Sequence, residues 1–173
     1  MDIPVQAWSR LADDHFSEHA RLVGIIAAQS AVLEAEIEML FSIFIGARYN
    51  QAKIIYYAMV SLQPRLNIIQ GLISDNYSGD EEVCKAWNAL RRKIDRVNGD
   101  RNRCVHAIWA ENPQTHALQR RTTHSNGHYE RKRIDMSTED LKKVGIDLAL
   151  VAGQVNQFSG HLRGKPLSPS PNI

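Results

Sequence analysis

The stretch 19–46, HARLVGIIAAQSAVLEAEIEMLFSIFIG, decides the fold class of this 173-residue chain. It contains no proline, and its apolar residues recur at the spacing of one helix face: Leu22, Ile26, Leu33, Ile37, Leu40 and Phe44. This pattern predicts one long helix. The end of that helix, MLFSIFI, is apolar on nearly every side, which predicts that a second chain covers part of it.

Further helical segments follow the long helix. QAKIIYYAMV (51–60) predicts a shorter helix, Pro64 interrupts the pattern, and RLNIIQGLI (65–73) resumes it as a third. Asp80 is a candidate N-cap for a fourth helix that runs toward Trp109, and Gly99 either kinks this helix or ends it. One face of the fourth helix is apolar, through Trp87, Leu90, Ile94, Val97, Cys104 and Ile108.

The pattern changes after the fourth helix. HALQRRTT (116–123) and HYERKRIDM (128–136) flank HSNG, whose Asn-Gly pair is a strong hairpin signal. Ser137 and Asp140 resemble a capping box, from which a last helix runs to about Leu162. We therefore predict an all-α fold: an antiparallel bundle of about five helices with a short two-stranded β-hairpin before the last helix. It forms a single domain over residues 1–163, with a disordered Pro/Ser tail over 164–173.

Charge is unevenly distributed along the chain. The net charge is only +2, yet residues 1–84 carry a net −6 and residues 85–133 a net +8. A basic segment of this size is typical either of a solvated charged face or of a surface that binds a polyanion such as RNA. The first residues, MDIPVQAW, have no basic n-region and no long apolar run, so we expect no signal peptide, and no stretch approaches the length of a membrane span. We read both cysteines as free thiols and predict a cytoplasmic protein without membrane contact.

DRNRCVHAIW (100–109) places a cation where the apolar series of the fourth helix leaves a gap. Arg101 fills that gap, and burial of an unpaired guanidinium costs several kcal/mol, of the order of the penalty for buried ions. We therefore expect Arg101 at an interface or a wet cleft. Asn102 and His106 are four residues apart, which stacks them on one helix face.

Arginine, amide and imidazole suit the cleavage of a phosphodiester. Histidine changes protonation near neutral pH and can accept the proton of a ribose 2′-hydroxyl. A guanidinium can hold the phosphate, and an amide can orient either group. Neither a metal nor a cofactor is required. In the alternative interpretation, Arg101 pairs locally and His106 is an ordinary helical histidine.

RNRCVH (101–106) resembles the R-x4-6-H motif of the HEPN superfamily, with a polar residue directly after the arginine. The resemblance implies an all-helical, metal-independent endoribonuclease with Arg101, Asn102 and His106 as its catalytic set. It also implies a homodimer that acts as a toxin or abortive-infection effector in phage defence, with an antitoxin or regulatory protein as a further partner. A non-catalytic nucleic-acid or protein binding module is the alternative.

The resemblance and the helix geometry both predict a site shared by two chains. On an ideal helix Arg101 and His106 lie about 140° apart, so that one chain alone does not bring both to one phosphate. The basic residues near the motif are candidates for RNA binding: Arg96, Arg103, Arg120, Arg121, Arg131, Lys132 and Arg133.

Histidines elsewhere in the chain are the other candidates for metal ligands. His15 and His19 have the spacing of a helical metal pair, but no third ligand is evident. His116, His124 and His128 fall on the predicted hairpin, where exposed histidines are the simpler interpretation. We predict no metal site.

Overall fold

The computed structural model describes residues 14–45, 49–111, 118–122 and 132–165. Within these ranges the chain forms helices α1 (Asp14–Ile45), α2 (Tyr49–Ala58), α3 (Leu62–Asn76), α4 (Glu81–Val105) and α5 (Thr138–Arg163). Three short strands lie between the last two helices: β1 (Ile108–Glu111), β2 (Leu118–Thr122) and β3 (Lys132–Asp135). The predicted all-α class is confirmed.

The strands form an antiparallel sheet in the order β1-β2-β3. The pairing of β2 with β3 confirms the predicted hairpin, whose Asn-Gly turn lies outside the described residues. The sheet has one strand more than predicted, because the sequence pattern placed β1 in the fourth helix. Isoleucine and tryptophan favour strands, and pairing of Ile108 with Arg121 outweighs the helical spacing that Ile108 shares with α4.

The sequence predicted that Gly99 either kinks the fourth helix or ends it. The helix continues through Gly99 and ends at Val105, so Asp100 does not cap a new helix. The apolar face predicted for this helix is buried, from Trp87 to Cys104, with none of these side chains more than 6% exposed. In α1 the predicted face is also buried from Leu22 to Leu40, whereas Phe44 is half-buried.

The chain divides into two compact units, and the prediction of a single domain stays a prediction. Unit 1 comprises Met1–Ser30 and Val97–Leu148, and unit 2 comprises Ala31–Arg96 and Ala149–Ile173. In unit 1 the buried side chains include Leu22, Ile26, Val97, Cys104 and Leu141. In unit 2, Trp87 stacks on Phe158 with 5.9 Å between ring centroids, and its indole donates to Gln70 Oε1 at 2.8 Å.

Both predicted helix caps are present. Asp80 Oδ1 accepts the backbone N–H of Val83 at 3.1 Å. Ser137 Oγ accepts the N–H of Asp140 at 3.1 Å, and Ser137 N donates back to the Asp140 carboxylate at 2.9 Å. This is a reciprocal capping box with aspartate in place of the usual glutamate or glutamine, and the Ser137 bonds hold the pKa of Asp140 below its ordinary value.

Lys165, which the sequence pattern predicts in the disordered tail, is held by contacts within unit 2. Its backbone N–H donates to Leu162 O at 3.0 Å, and its ammonium pairs with Asp80. The rest of the predicted tail, from residue 166 onward, lies outside the described residues.

Replacement of Asp80 by asparagine should destabilise the protein in a pH-dependent way. The Lys165 ammonium, and then the N–H of Val83, hold the pKa of Asp80 below its ordinary value. A carboxyl whose pKa falls on folding stabilises the protein above about pH 4, and this stabilisation is lost as the pH drops through the folded-state pKa. In urea unfolding, wild type and Asp80→Asn should therefore differ most at neutral pH and converge below about pH 4. An equal difference at every pH would contradict this origin.

The apolar end of α1 is largely covered by its own chain. Leu40 and Phe41 are fully buried, and the three apolar residues after Ser42 are half-buried. Exposed apolar side chains lie elsewhere on the chain, among them Ile54 of α2 and Val60 just beyond it. The predicted second chain over MLFSIFI stays a prediction. None of the helices over the described ranges has the length and apolarity that crossing a membrane requires.

Candidate active site

Arg101, Asn102 and His106 lie together at the end of α4. The helix ends at Val105, and His106 is the first residue beyond it. The backbone N–H of His106 still donates to Asn102 O at 3.2 Å, which continues the helical pattern by one bond. Asn102 and His106 are exposed, whereas Arg101 is half-buried. Arg101 is therefore not fully buried, and its predicted place at an interface or in a wet cleft stays a prediction.

One nitrogen of Arg101 contacts both of the other groups. Arg101 Nη1 donates to Asn102 Oδ1 at 2.9 Å and lies 3.0 Å from His106 Nε2. A guanidinium can only donate, so Nε2 must be the acceptor in this contact. The ring proton of His106 is then on Nδ1, and the lone pair of Nε2 faces the guanidinium.

This contact corrects the expectation that Arg101 and His106 of one chain diverge. The angle of about 140° describes Cα positions on an ideal helix. The guanidinium, however, stands at the end of a long flexible side chain, and His106 is outside the helix. A single chain therefore brings the three groups together, and a second chain is not needed for that. Whether the protein forms a homodimer remains a prediction.

The Nε group of Arg101 is the poorly hydrogen-bonded part of the guanidinium. Its Nε is buried and has no hydrogen-bond partner among the residues that the structure describes. Buried donors without an acceptor are rare in native proteins, and those that occur are often at functional sites.

Trp109 closes a short loop that contains His106. The indole Nε1 of Trp109 donates to Cys104 O at 3.0 Å, so this side chain folds back on the helix it follows. His19 lies edge-on to the same indole, with ring centroids 4.2 Å apart. Helical spacing would place Trp109 one turn beyond His106 on a continuing helix. The observed contact requires the chain to leave the helix, which no spacing rule indicates.

His19 belongs to the candidate metal pair of α1. It is 2% exposed and packs on Trp109, while the side chain of His15 is outside the described residues. Across 14–45, 49–111, 118–122 and 132–165, no three His, Cys, Asp or Glu side chains come together to hold a metal ion. His116, His124 and His128 also fall outside these ranges.

The candidate RNA-binding residues occupy α4 and the sheet. Arg96 and Arg103 are exposed on α4, and the Arg103 guanidinium pairs with Asp100 within the helix. The sheet holds four others, two in β2 and two in β3: Arg120, Arg121, Lys132 and Arg133. The register sets Arg121 directly opposite Arg133, so two residues of like charge are cross-strand neighbours. Arg131 lies outside the described residues, and RNA binding by this set stays a prediction.

No protein-family model, curated protein or solved structure matches the chain. Its functional interpretation therefore depends on the site itself.

Proposed function

We propose that the chain is a metal-independent endoribonuclease with Arg101, Asn102 and His106 as its catalytic groups. The observation that carries the proposal is the placement of Arg101 Nη1 within 3.0 Å of both Asn102 Oδ1 and His106 Nε2. A cation, an amide and an imidazole meet there at an exposed helix end, with the imidazole in the form that can accept a proton.

In the proposed reaction, His106 Nε2 takes the proton of a ribose 2′-hydroxyl. The 2′-oxygen then attacks the adjacent phosphorus, and the bond from phosphorus to the 5′-oxygen breaks. The leaving oxygen takes up a proton from water and His106 later returns its own proton to solvent, so the products carry a 2′,3′-cyclic phosphate and a 5′-hydroxyl. Arg101 neutralises the charge that develops on the phosphate oxygens, and Asn102 holds the guanidinium in place.

Substrate binding would also release His106 Nε2, the proposed base, from its contact with Arg101. In the unliganded chain the guanidinium occupies the lone pair of His106 Nε2. Phosphate oxygens are stronger acceptors for arginine than a neutral imidazole, because a charged acceptor roughly doubles the strength of such a bond. A bound phosphate should therefore turn the Arg101 guanidinium off Nε2, with its bond to Asn102 retained, and leave Nε2 available to the 2′-hydroxyl.

Two further features support RNA as the substrate. Residues 85–133 carry a net charge of +8, and Arg121 is opposite Arg133 in the sheet register. A segment with this excess of positive charge is suited to a polyanion such as the RNA backbone. The resemblance of the motif to HEPN ribonucleases adds the remaining proposals: a homodimer, a role as toxin or abortive-infection effector, and regulation by an antitoxin or another protein.

The contact of Arg101 with Asn102 and His106 also favours one alternative function. A guanidinium that already bonds Asn102 and His106 is what local pairing in a non-catalytic binding module would produce. Such a module would use the basic segment to bind RNA without turnover, and its affinity would fall steeply with rising salt.

Incubation of the purified protein with end-labelled RNA distinguishes the two functions. On a denaturing gel the ribonuclease produces fragments, in EDTA as well as without it, and their 3′ ends are 2′,3′-cyclic phosphates. Bound but intact RNA, detected by a mobility shift on a native gel, would favour the binding module. Cleavage that EDTA abolishes would contradict the metal-independent mechanism.

A further inference from the structure

We infer that Trp109 is a positioning residue, whose indole N–H holds His106 against Arg101 from outside the motif. The inference rests on three contacts of unit 1: the indole bond to Cys104 O, the backbone bond from His106 to Asn102, and the packing of His19 on the indole ring. As a statement about catalysis it rests on the proposed function. As a statement about the geometry of His106 it stands alone.

The end of a helix is where such a contact matters. The last four carbonyls of an α-helix have no partner within the helix and fray unless another donor reaches them. Helix α4 ends at Val105, so the carbonyls of residues 102–105 are in this position. The N–H of His106 satisfies Asn102 O, and the indole of Trp109 satisfies Cys104 O.

His106 lies inside the loop that the indole closes. The bond from Trp109 to Cys104 ties two residues that are five positions apart, and His106 is between them. The backbone of Trp109 is itself held in β1, paired with Arg120 of β2. The loop therefore has one end on the helix and the other on the sheet, and the backbone of His106 between them is held next to Arg101.

His19 fixes the orientation of the indole. It is 2% exposed and meets the ring of Trp109 at an interplanar angle of 73°, with 4.2 Å between centroids. Edge-to-face packing of two rings favours this geometry and adds to the area that both bury. The indole is thus held by a buried side chain of α1, and its N–H is directed at the helix end.

Trp109→Phe tests the inference, because it removes the N–H donor and retains an aromatic ring beside His19. Trp87→Phe is the matched control: its indole also donates one bond, from a buried position in unit 2 to Gln70 Oε1 at 2.8 Å. Both variants should lower the unfolding midpoint. Only Trp109→Phe should change the side-chain ¹⁵N resonances of His106, from the single Nδ1-protonated tautomer toward a mixture of both.

Unchanged His106 resonances in a folded Trp109→Phe variant would overturn the inference, as would the same change in Trp87→Phe. A measurement on the wild type covers the case in which the variant does not fold. The indole N–H of Trp109 should exchange with solvent far more slowly than that of a free indole. Exchange at the free rate would show that the bond to Cys104 does not persist.

The catalytic consequence is measured separately. Displacement of a catalytic group by about 1 Å can cost up to about 100-fold in rate, so Trp109→Phe should lower kcat by about tenfold or more with KM little changed. A wild-type protein that does not cleave RNA would refute the proposed function and leave the spectroscopic result intact. Normal kcat together with altered His106 resonances would refute the catalytic role of Trp109 alone.

Discussion

His106→Ala is expected to lower kcat/KM for RNA cleavage by about 10²- to 10⁴-fold, the usual contribution of a general base. The fold should not be affected, because His106 is exposed and its side chain bonds Arg101 at the protein surface. The measurement is the initial rate of cleavage of a labelled RNA, with the unfolding midpoint determined on the same preparation.

His161→Ala is the matched control for this variant. His161 is also an exposed histidine at a helix end, in the last turn of α5, and no catalytic role is assigned to it. Its replacement should leave the rate unchanged. Equal losses in the two variants, or full activity in His106→Ala, would contradict the role of His106.

Arg65→Met is expected to destabilise the protein far more than the loss of an exposed arginine would. Arg65 is 6% exposed in unit 2 and pairs with Glu34. Its Nη2 also donates to Met59 O at 2.8 Å and its Nε to Tyr56 O at 3.1 Å, at the end of α2. The guanidinium lies over the Tyr56 ring, 4.3 Å from the centroid.

Methionine fills a similar volume but donates no hydrogen bond. The carbonyls of Tyr56 and Met59 would lose the guanidinium as a donor, and Glu34 would lose its counter-charge. Loss of a buried charged partner costs about 3–5 kcal/mol, and because Glu34 is partly exposed we expect about 2–4 kcal/mol. Chemical denaturation at neutral pH measures this difference as a shift of the midpoint.

Arg21→Met provides the comparison for Arg65→Met. Arg21 also pairs with a glutamate, Glu18, at 2.7 Å, but both side chains are well exposed. Exposed ion pairs contribute little to stability. The midpoint of Arg21→Met should stay close to that of the wild type, and a shift as large as that of Arg65→Met would show that burial is not the cause.

Local sequence signals predicted much of the fold. The periodic apolar residues of α1 and α4 identified the two faces that are buried, because a helix face recurs every three to four residues. Asp80, Ser137 and Asp140 identified helix starts, since a cap acts within four residues of chain. The Asn-Gly pair likewise indicated the pairing of β2 with β3, because a turn joins strands that are neighbours in the chain.

Features that depend on distant parts of the chain were missed. Strand β1 exists through its pairing with β2, and the helical spacing of Ile108 gave the opposite indication. The bond from Trp109 to Cys104 needs the turn after Val105, and the pair of Arg65 and Glu34 joins α3 to α1 over 31 residues. Neither contact leaves a pattern in the linear sequence.

The candidate site was predicted in composition but not in geometry. Arg101, Asn102 and His106 were identified from residue type and spacing, and the structure brings them together. Their predicted divergence within one chain was wrong, because ideal-helix angles take account of neither the reach of an arginine side chain nor the end of the helix.

The kcat/KM values of Arg101→Ala, His106→Ala and the double variant on one labelled RNA test the central claim most directly. Groups that act as a unit lose nearly all of their effect when either is removed. We therefore predict that the double variant cleaves RNA no more slowly than the slower single variant. Losses that multiply in the double variant, or single variants as active as the wild type, would contradict a shared site of Arg101 and His106.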